Sequence, residues 1–130
     1  MLNKPLRRHC LLVAHGSRLE SSNEEIRDLA ALLREMSQEL TNIDCAFLEI
    51  AKPTIEQGLR RCIALGADEI VVVPYFLSSG RHVTFDIPEQ IASVKKHFPE
   101  IAICVIEPIG ANKNMASFLL AHMLGNAFSD

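Results

Sequence analysis

Three residues in this chain could do chemistry together. His15 closes a short apolar run, Cys10–Ala14 (CLLVA), within the tripeptide His15-Gly16-Ser17. His82 follows the strongest apolar run, Glu69–Phe76 (EIVVVPYF), after a Ser78-Ser79-Gly80-Arg81 loop. Glu49 ends a further run, Asp44–Glu49 (DCAFLE). Neutral imidazole is a good ligand for divalent iron, cobalt, nickel and zinc, and a carboxylate adds a harder ligand or accepts a proton. Histidine also titrates near neutrality, at about 6.5 when unperturbed. Two histidines at one rim, flanked by a carboxylate, can therefore hold a metal loosely or move protons. Sparse ligation leaves coordination positions open, as release of the metal requires. There is no HExxH and no tight His/Cys cluster, so a closed structural zinc site is not expected.

Each of these residues also has a plainer reading. A histidine in a Gly-containing loop often only hydrogen-bonds within that loop, and Glu49 alone reads as a solvated strand-end charge. His15-Gly16-Ser17-Arg18 could be an anion-binding loop at a helix N-terminus, but the chain has no GxxxxGK[ST] or GxGxxG. Ser17 lacks a GxSxG setting for a nucleophile, and Ser17, Ser21 and Ser22 suit turns or caps. Asp86 reads as a helix cap, His97 as a partner of a helix C-terminus, and His9 as structural or solvent-facing. His122 falls on the apolar face of the last helix, where a packed or interface histidine is expected.

The elements that would position these groups alternate along the chain. Cys10–Ala14 is a continuous apolar run, as in strands covered on both faces. Ile26, Leu29, Ala30, Leu33, Met36 and Leu40 then recur at helical spacing, with Ser22 and Glu25 as a capping box. A strand over Asp44–Glu49 leads to a helix with Pro53 in its first turn, an Ile55-Leu59-Cys62-Ile63 stripe, and Gly66 as its stop. The strand over Glu69–Phe76 loses regular pairing at Pro74. Ile87, Ile91, Val94 and Phe98 mark a third helix with Pro88 in its first turn. Ile101–Ile106 (IAICVI) is a fourth strand, and Met115, Phe118, Leu119, His122 and Met123 mark a closing helix. The βαβαβαβα order predicts an α/β fold with a mostly parallel sheet. Right-handed crossovers restrict its topology, and order 2-1-3-4, as in a short flavodoxin-like sheet, is favoured. In that order the switch point lies between strands 1 and 3. His15 and His82 then face one crevice, and Glu49 flanks it.

Length and composition bound the function classes. The 130 residues suffice for one domain with a real core, expected over 1–130. The 13 Lys+Arg against 16 Asp+Glu give a net charge of -3, which argues against a general nucleic-acid or membrane-surface binder. A hydrophobic fraction of 48% argues against disorder. No apolar run approaches the roughly 20 residues of a membrane span, and the N-terminal apolar stretch reads as a strand and not a signal peptide. Cys10, Cys45, Cys62 and Cys104 are scattered without a CxxC, and a cytoplasmic setting with buried thiols is expected. Cys45 and Cys104 should pack in the core.

These motifs resemble a known family. His15-Gly16-Ser17-Arg18 followed by Asn23 is similar to the opening motif of the small class II sirohydrochlorin chelatases. Phe47-Leu48-Glu49 followed by Pro53 resembles the second. Most specific are Pro74-Tyr75-Phe76-Leu77, then Gly80-Arg81-His82-Val83, then Asp86-Ile87-Pro88, and the ordered set spans nearly the whole chain.

The resemblance implies a chelatase-like three-layer sandwich and insertion of divalent cobalt, iron or nickel into sirohydrochlorin. His15 and His82 would carry the metal and the proton chemistry, with Glu49 as relay. Ser17, Arg18, Ser78, Ser79, Gly80 and Arg81, with Lys52 nearby, would meet the carboxylate-rich substrate. The metal is then a substrate, and no permanently bound cofactor or nucleotide is needed. Larger relatives build the cleft from two lobes, which implies a homodimer here. A non-catalytic metal or tetrapyrrole carrier, a flavin- or phosphate-binding protein of similar fold, and a chelatase for a related tetrapyrrole such as protoporphyrin are the alternatives.

Overall fold

The computed structural model describes residues 5–40 and 42–126. Its elements alternate as expected: β1 (Arg8–Ala14), α1 (Glu20–Met36), β2 (Asn42–Phe47), α2 (Ile55–Ala64), β3 (Glu69–Pro74), α3 (Ile87–Lys95), β4 (Ala102–Val105) and α4 (Met115–Asn126). A π-helical segment, His82–Asp86, leads into α3, and a 3-10 turn, Ile109–Ala111, precedes α4. All strand pairs are parallel, in the order β2-β1-β3-β4. The fold is a three-layer α/β sandwich of the chelatase-like class.

Successive strand residues point to opposite faces, so each face gathers its own core. On one face Leu11, Val13, Ala46, Ile70 and Val72 pack against Ile55, Leu59 and Cys62 of α2 and Ile87, Ile91 and Val94 of α3. On the other, Leu12, Ala14, Ile43, Cys45 and Phe47 pack under Ala30, Ile26, Leu29 and Leu33 of α1. Burial of these side chains, about 1.5–3 kcal/mol for each fully covered Val, Leu, Ile or Phe, is the main force holding the sandwich together. The α1 side is covered chiefly over β1 and β2. Over β4, Ala102, Cys104 and Ile106 on that face stay exposed.

Several local expectations are corrected. Helix α1 starts at Glu20, not at Ser22, and its cap residue Leu19 makes no side-chain capping bond. The Ser22–Glu25 capping box is absent because those residues lie inside the first turns. Pro53 stands before α2, not in its first turn. Thr54 caps that helix, and its hydroxyl accepts from the Gln57 N–H while the Gln57 side chain accepts from the Thr54 N–H. The reciprocal cap sets the start. Gly66 ends α2 with a φ of +95°, as expected. Asp86 already has helical dihedrals and makes no side-chain cap, because the π-helical segment runs continuously into α3. Pro88 does lie in the first turn of α3.

Three strands differ at their ends: β1 begins at Arg8, β2 ends at Phe47 and β4 at Val105, whereas β3 stops at Pro74 as expected. Cys104 is exposed, not in the core, because β4 is an edge strand with one face uncovered. His9 is buried, 1% exposed, on the first strand. Helix α4 departs most from expectation. Phe118 is 62% and Leu124 79% exposed, so its apolar residues do not join the core.

Candidate active site

The site begins where β1 and β2 stop. Their pairing continues for two further residues: the Leu48 N–H donates to the Ala14 carbonyl at 2.9 Å, and the Glu49 N–H to the His15 carbonyl at 3.1 Å. Close approach of the two loops needs Gly16. Its φ is +97°, and a Cβ there would strike the Glu49 carbonyl oxygen. A residue with a side chain would be strained by the dihedral and would also push the loops apart.

The two side chains meet in consequence. His15 Nε2 lies 3.3 Å from Glu49 Oε2, and both side chains are about half exposed. His15 Nδ1 is 3.1 Å from the Gly16 carbonyl. A carbonyl can only accept, so this bond places a proton on Nδ1 and directs Nε2 toward Glu49. An ion bonded to both atoms at about 2.1 Å, with a bond angle near 100°, needs its ligands about 3.2 Å apart. The pair therefore has the spacing to share either a proton or a divalent metal. Among the described residues no group of three or more His, Cys, Asp or Glu is arranged to hold a metal. His15 and Glu49 offer two donors.

His82 opens the π-helical segment, in the crossover that follows β3. The expectation that its side chain faces His15 lies outside the described residues. Carbonyls and amides in the β3 exit are already engaged: the Tyr75 N–H donates to Val13 at 2.7 Å and the Thr84 N–H to Gly80 at 3.1 Å. Ser78, Ser79, Gly80 and Arg81 are exposed, as are Arg18 and Lys52. Ser17 is engaged within the loop through its N–H and as an acceptor. Its hydroxyl accepts from the Leu19 N–H at 3.0 Å, and its N–H donates to Asn23 Oδ1 at 2.9 Å.

Two supports of the site act in ways that the sequence did not specify: Asn23 enters only as part of the opening motif, and Arg27 not at all. Asn23 is buried on α1, and its amide clamps the Ser17 peptide from both sides, Nδ2 donating back to the Ser17 carbonyl at 2.8 Å. Arg27, one turn further, lies over the Phe47 ring at 5.3 Å and donates to the Lys52 carbonyl at 3.0 Å. It also pairs with Glu20 and Glu24, whose hydrogen bonds raise its pKa, while its hydrogen bond to Glu20 lowers that carboxylate's pKa. Helix α1 thus grips both loops that carry His15 and Glu49. The Asn23 clamp spans six residues and the Arg27 contact with Lys52 spans 25, and hydrophobic periodicity reveals neither.

A β2-β1-β3-β4 sandwich with a His–Glu pair at its switch-point edge defines a chelatase-like protein. The chain belongs to the CbiX family, whose model matches residues 9–124. It is 33% identical over 111 residues to a sirohydrochlorin ferrochelatase of Priestia megaterium, covering 85% of this chain and 41% of the relative. To a sirohydrochlorin cobaltochelatase of Sulfolobus acidocaldarius it is 33% identical over 109 residues, covering 84% of both. The sirohydrochlorin chelatase SirB of Bacillus subtilis subspecies spizizenii, solved in complex with cobalt, superposes with a TM-score of 0.82 at 30% identity, over 96% of this chain and 56% of SirB. The chain spans about half the length of several of these relatives.

Proposed function

We propose that this protein is a sirohydrochlorin metal chelatase, inserting divalent cobalt, iron or nickel into the macrocycle. The observation that carries this reading is the His15–Glu49 pair, 3.3 Å apart at the open carboxyl edge of a CbiX-family sheet. The metal is a substrate. His15 Nε2 and Glu49 hold it beside the ring, and His82 joins them from the crossover after β3. Two pyrrole N–H protons must leave as metal–nitrogen bonds form. As the metal passes from His15 Nε2 to the ring, the freed Nε2 accepts one of these protons and hands it through Glu49 to solvent, and water takes the other. No permanently bound cofactor enters the scheme. Arg18, Lys52 and Arg81, with Ser17, Ser78, Ser79 and Gly80, meet the substrate carboxylates, and helix N-termini at the same edge add positive dipole ends.

The active assembly is a homodimer. Exposed Phe118, Leu120, Met123 and Leu124 on α4, and the uncovered face of β4, support this reading, since apolar surface of that extent favours association. An apolar cavity of about 820 Å³, lined by Val73, Ile106, Ile109, Met115 and Phe118, lies between them. No helix among the described residues is long and apolar enough to cross a membrane. A cytosolic reaction, without nucleic acid, fits the free thiols.

An anaerobic assay tests the function. Sirohydrochlorin is mixed with Co²⁺, Fe²⁺ or Ni²⁺, and its absorption is followed with and without protein. Acceleration with at least one metal is expected, with a strong loss in His15→Ala and in His82→Ala. A rate equal to the uncatalysed one with every metal overturns the proposal.

A further inference from the structure

The residue after Glu49 is held in a strained turn. Ile50 has a φ of +73°, and the Ala51 N–H donates to the Glu49 carbonyl at 2.8 Å across it. Together these are the marks of the γ-turn with positive φ, the rare and strained form. A β-branched residue in that region is a genuine outlier. Glycine would adopt it freely. The Ile50 side chain is not repaid by packing, because it is 58% exposed.

The turn aims this side chain from the loop that carries Glu49. Other carboxyl-edge segments also present large exposed apolar groups: Leu19 ahead of α1, Leu77 beyond β3 and Phe85 in the π-helical segment. Scattered exposed leucines are ordinary on a protein surface. An isoleucine held in an unfavourable dihedral beside the site is not, and strain of this kind gathers where a side chain is needed for ligand contact. Its stiff χ1 also makes Ile a rigid platform.

We infer that Ile50 is a substrate-positioning residue: its exposed side chain lies against the apolar face of the macrocycle and sets the ring over the His15–Glu49 pair. This inference rests on the chelatase reading. The charged groups at the edge meet the periphery of the ring, whereas Ile50 meets its face.

The test compares Ile50→Gly, which removes both side chain and strain, with Ile50→Ala, which removes most of the side chain and keeps a Cβ. Binding of metal-free sirohydrochlorin is read by spectral titration, Co²⁺ binding without macrocycle by calorimetry, and stability by thermal denaturation. Both variants should bind the macrocycle about tenfold or more weakly, the change expected when one buried aliphatic contact is lost. Their Co²⁺ affinity should stay within about twofold of the wild type. Ile50→Gly alone should melt higher, by about 3 °C. Unchanged macrocycle affinity in Ile50→Gly overturns the inference and leaves Ile50 as a turn residue. An unchanged or lower melting temperature in Ile50→Gly overturns the strain on which it stands. A wild type that neither binds nor metallates sirohydrochlorin overturns the chelatase reading and this inference together, whereas normal wild-type turnover with normal Ile50 variants overturns only the latter.

Discussion

The two ends of the sheet are finished to different degrees. At the carboxyl ends of β1 and β2, both exit loops are tied down. Gly16 lets the His15 and Glu49 loops touch, Asn23 clamps Ser17, and Arg27 bridges α1 to Lys52. Around β4 and α4, apolar side chains face solvent and the helix rests on the turn that precedes it. The first end is pre-organised, which lets the His15–Glu49 pair hold one spacing. The second end has surface to cover, which suits assembly. Clamped loops and uncovered apolar surface thus lie in opposite halves of one small sheet.

The sharpest way to break this contrast is at the pre-organised end. His15→Ala should lower metal insertion at least about 100-fold while leaving the melting temperature nearly unchanged. Wild-type turnover in this variant would move the site away from β1. Gly16→Ala should cost about 3 kcal/mol of stability, since it meets both an unfavourable dihedral and the Glu49 carbonyl. Denaturant titration reads this directly, and a loss under about 0.5 kcal/mol would mean that the loops do not need to touch. Asn23→Ala comes next, at about 1–2 kcal/mol, because it strands two peptide groups of the Ser17 loop.

His9 supplies a pH-dependent test of the buried end. Both its ring nitrogens are buried, with no hydrogen-bond partner among the described residues. Burial, then the nearby Arg7 charge, lowers its pKa, and Asp68 opposes them. The unfolded chain therefore binds the proton more readily. Stability is full above the unfolded value of about 6.5 and falls as pH drops through that value toward the lowered folded one. The urea midpoint should decrease on acidification across this window, and His9→Phe should flatten the slope. An equal slope in both proteins would assign the effect to other groups.

At the open end the effect on the fold itself should be the smallest. Phe118→Glu should change monomer stability by no more than about 0.5 kcal/mol, because Phe118 is already exposed. Its effect belongs to assembly: sedimentation at micromolar concentration should show the wild type as a dimer and the variant shifted toward monomer. A wild type that sediments as a fully active monomer would remove the assembly role from α4.

Much of the fold was legible because each element carries its own periodicity. The runs CLLVA and EIVVVP fall in β1 and β3, and the Ile55-Leu59-Cys62 stripe faces the core. Errors cluster where chain direction changes. The capping box at Ser22 looked sound by residue type, but the loop before α1 uses its own polar groups, and the helix starts earlier. Cys104 and Phe118 looked like core because their runs are apolar. Periodicity reports that a face is apolar, not whether a neighbour covers it.

For the site, the sequence by itself determined the residue types and their order: a histidine after the first strand, a carboxylate after the second, a histidine after the third. With the sheet order, that places His15 and Glu49 on adjacent strand exits. Only the tertiary structure decided their distance of 3.3 Å, which depends on Gly16 meeting a backbone 33 residues away, at Glu49. It also decided that Asn23 and Arg27 hold the loops, and that Ile50 is strained beside them. The physical reason is clearest for Gly16 and Arg27. Local pattern encodes which way a side chain faces, whereas their contacts with Glu49 and Lys52 join segments that meet only when the sheet has formed.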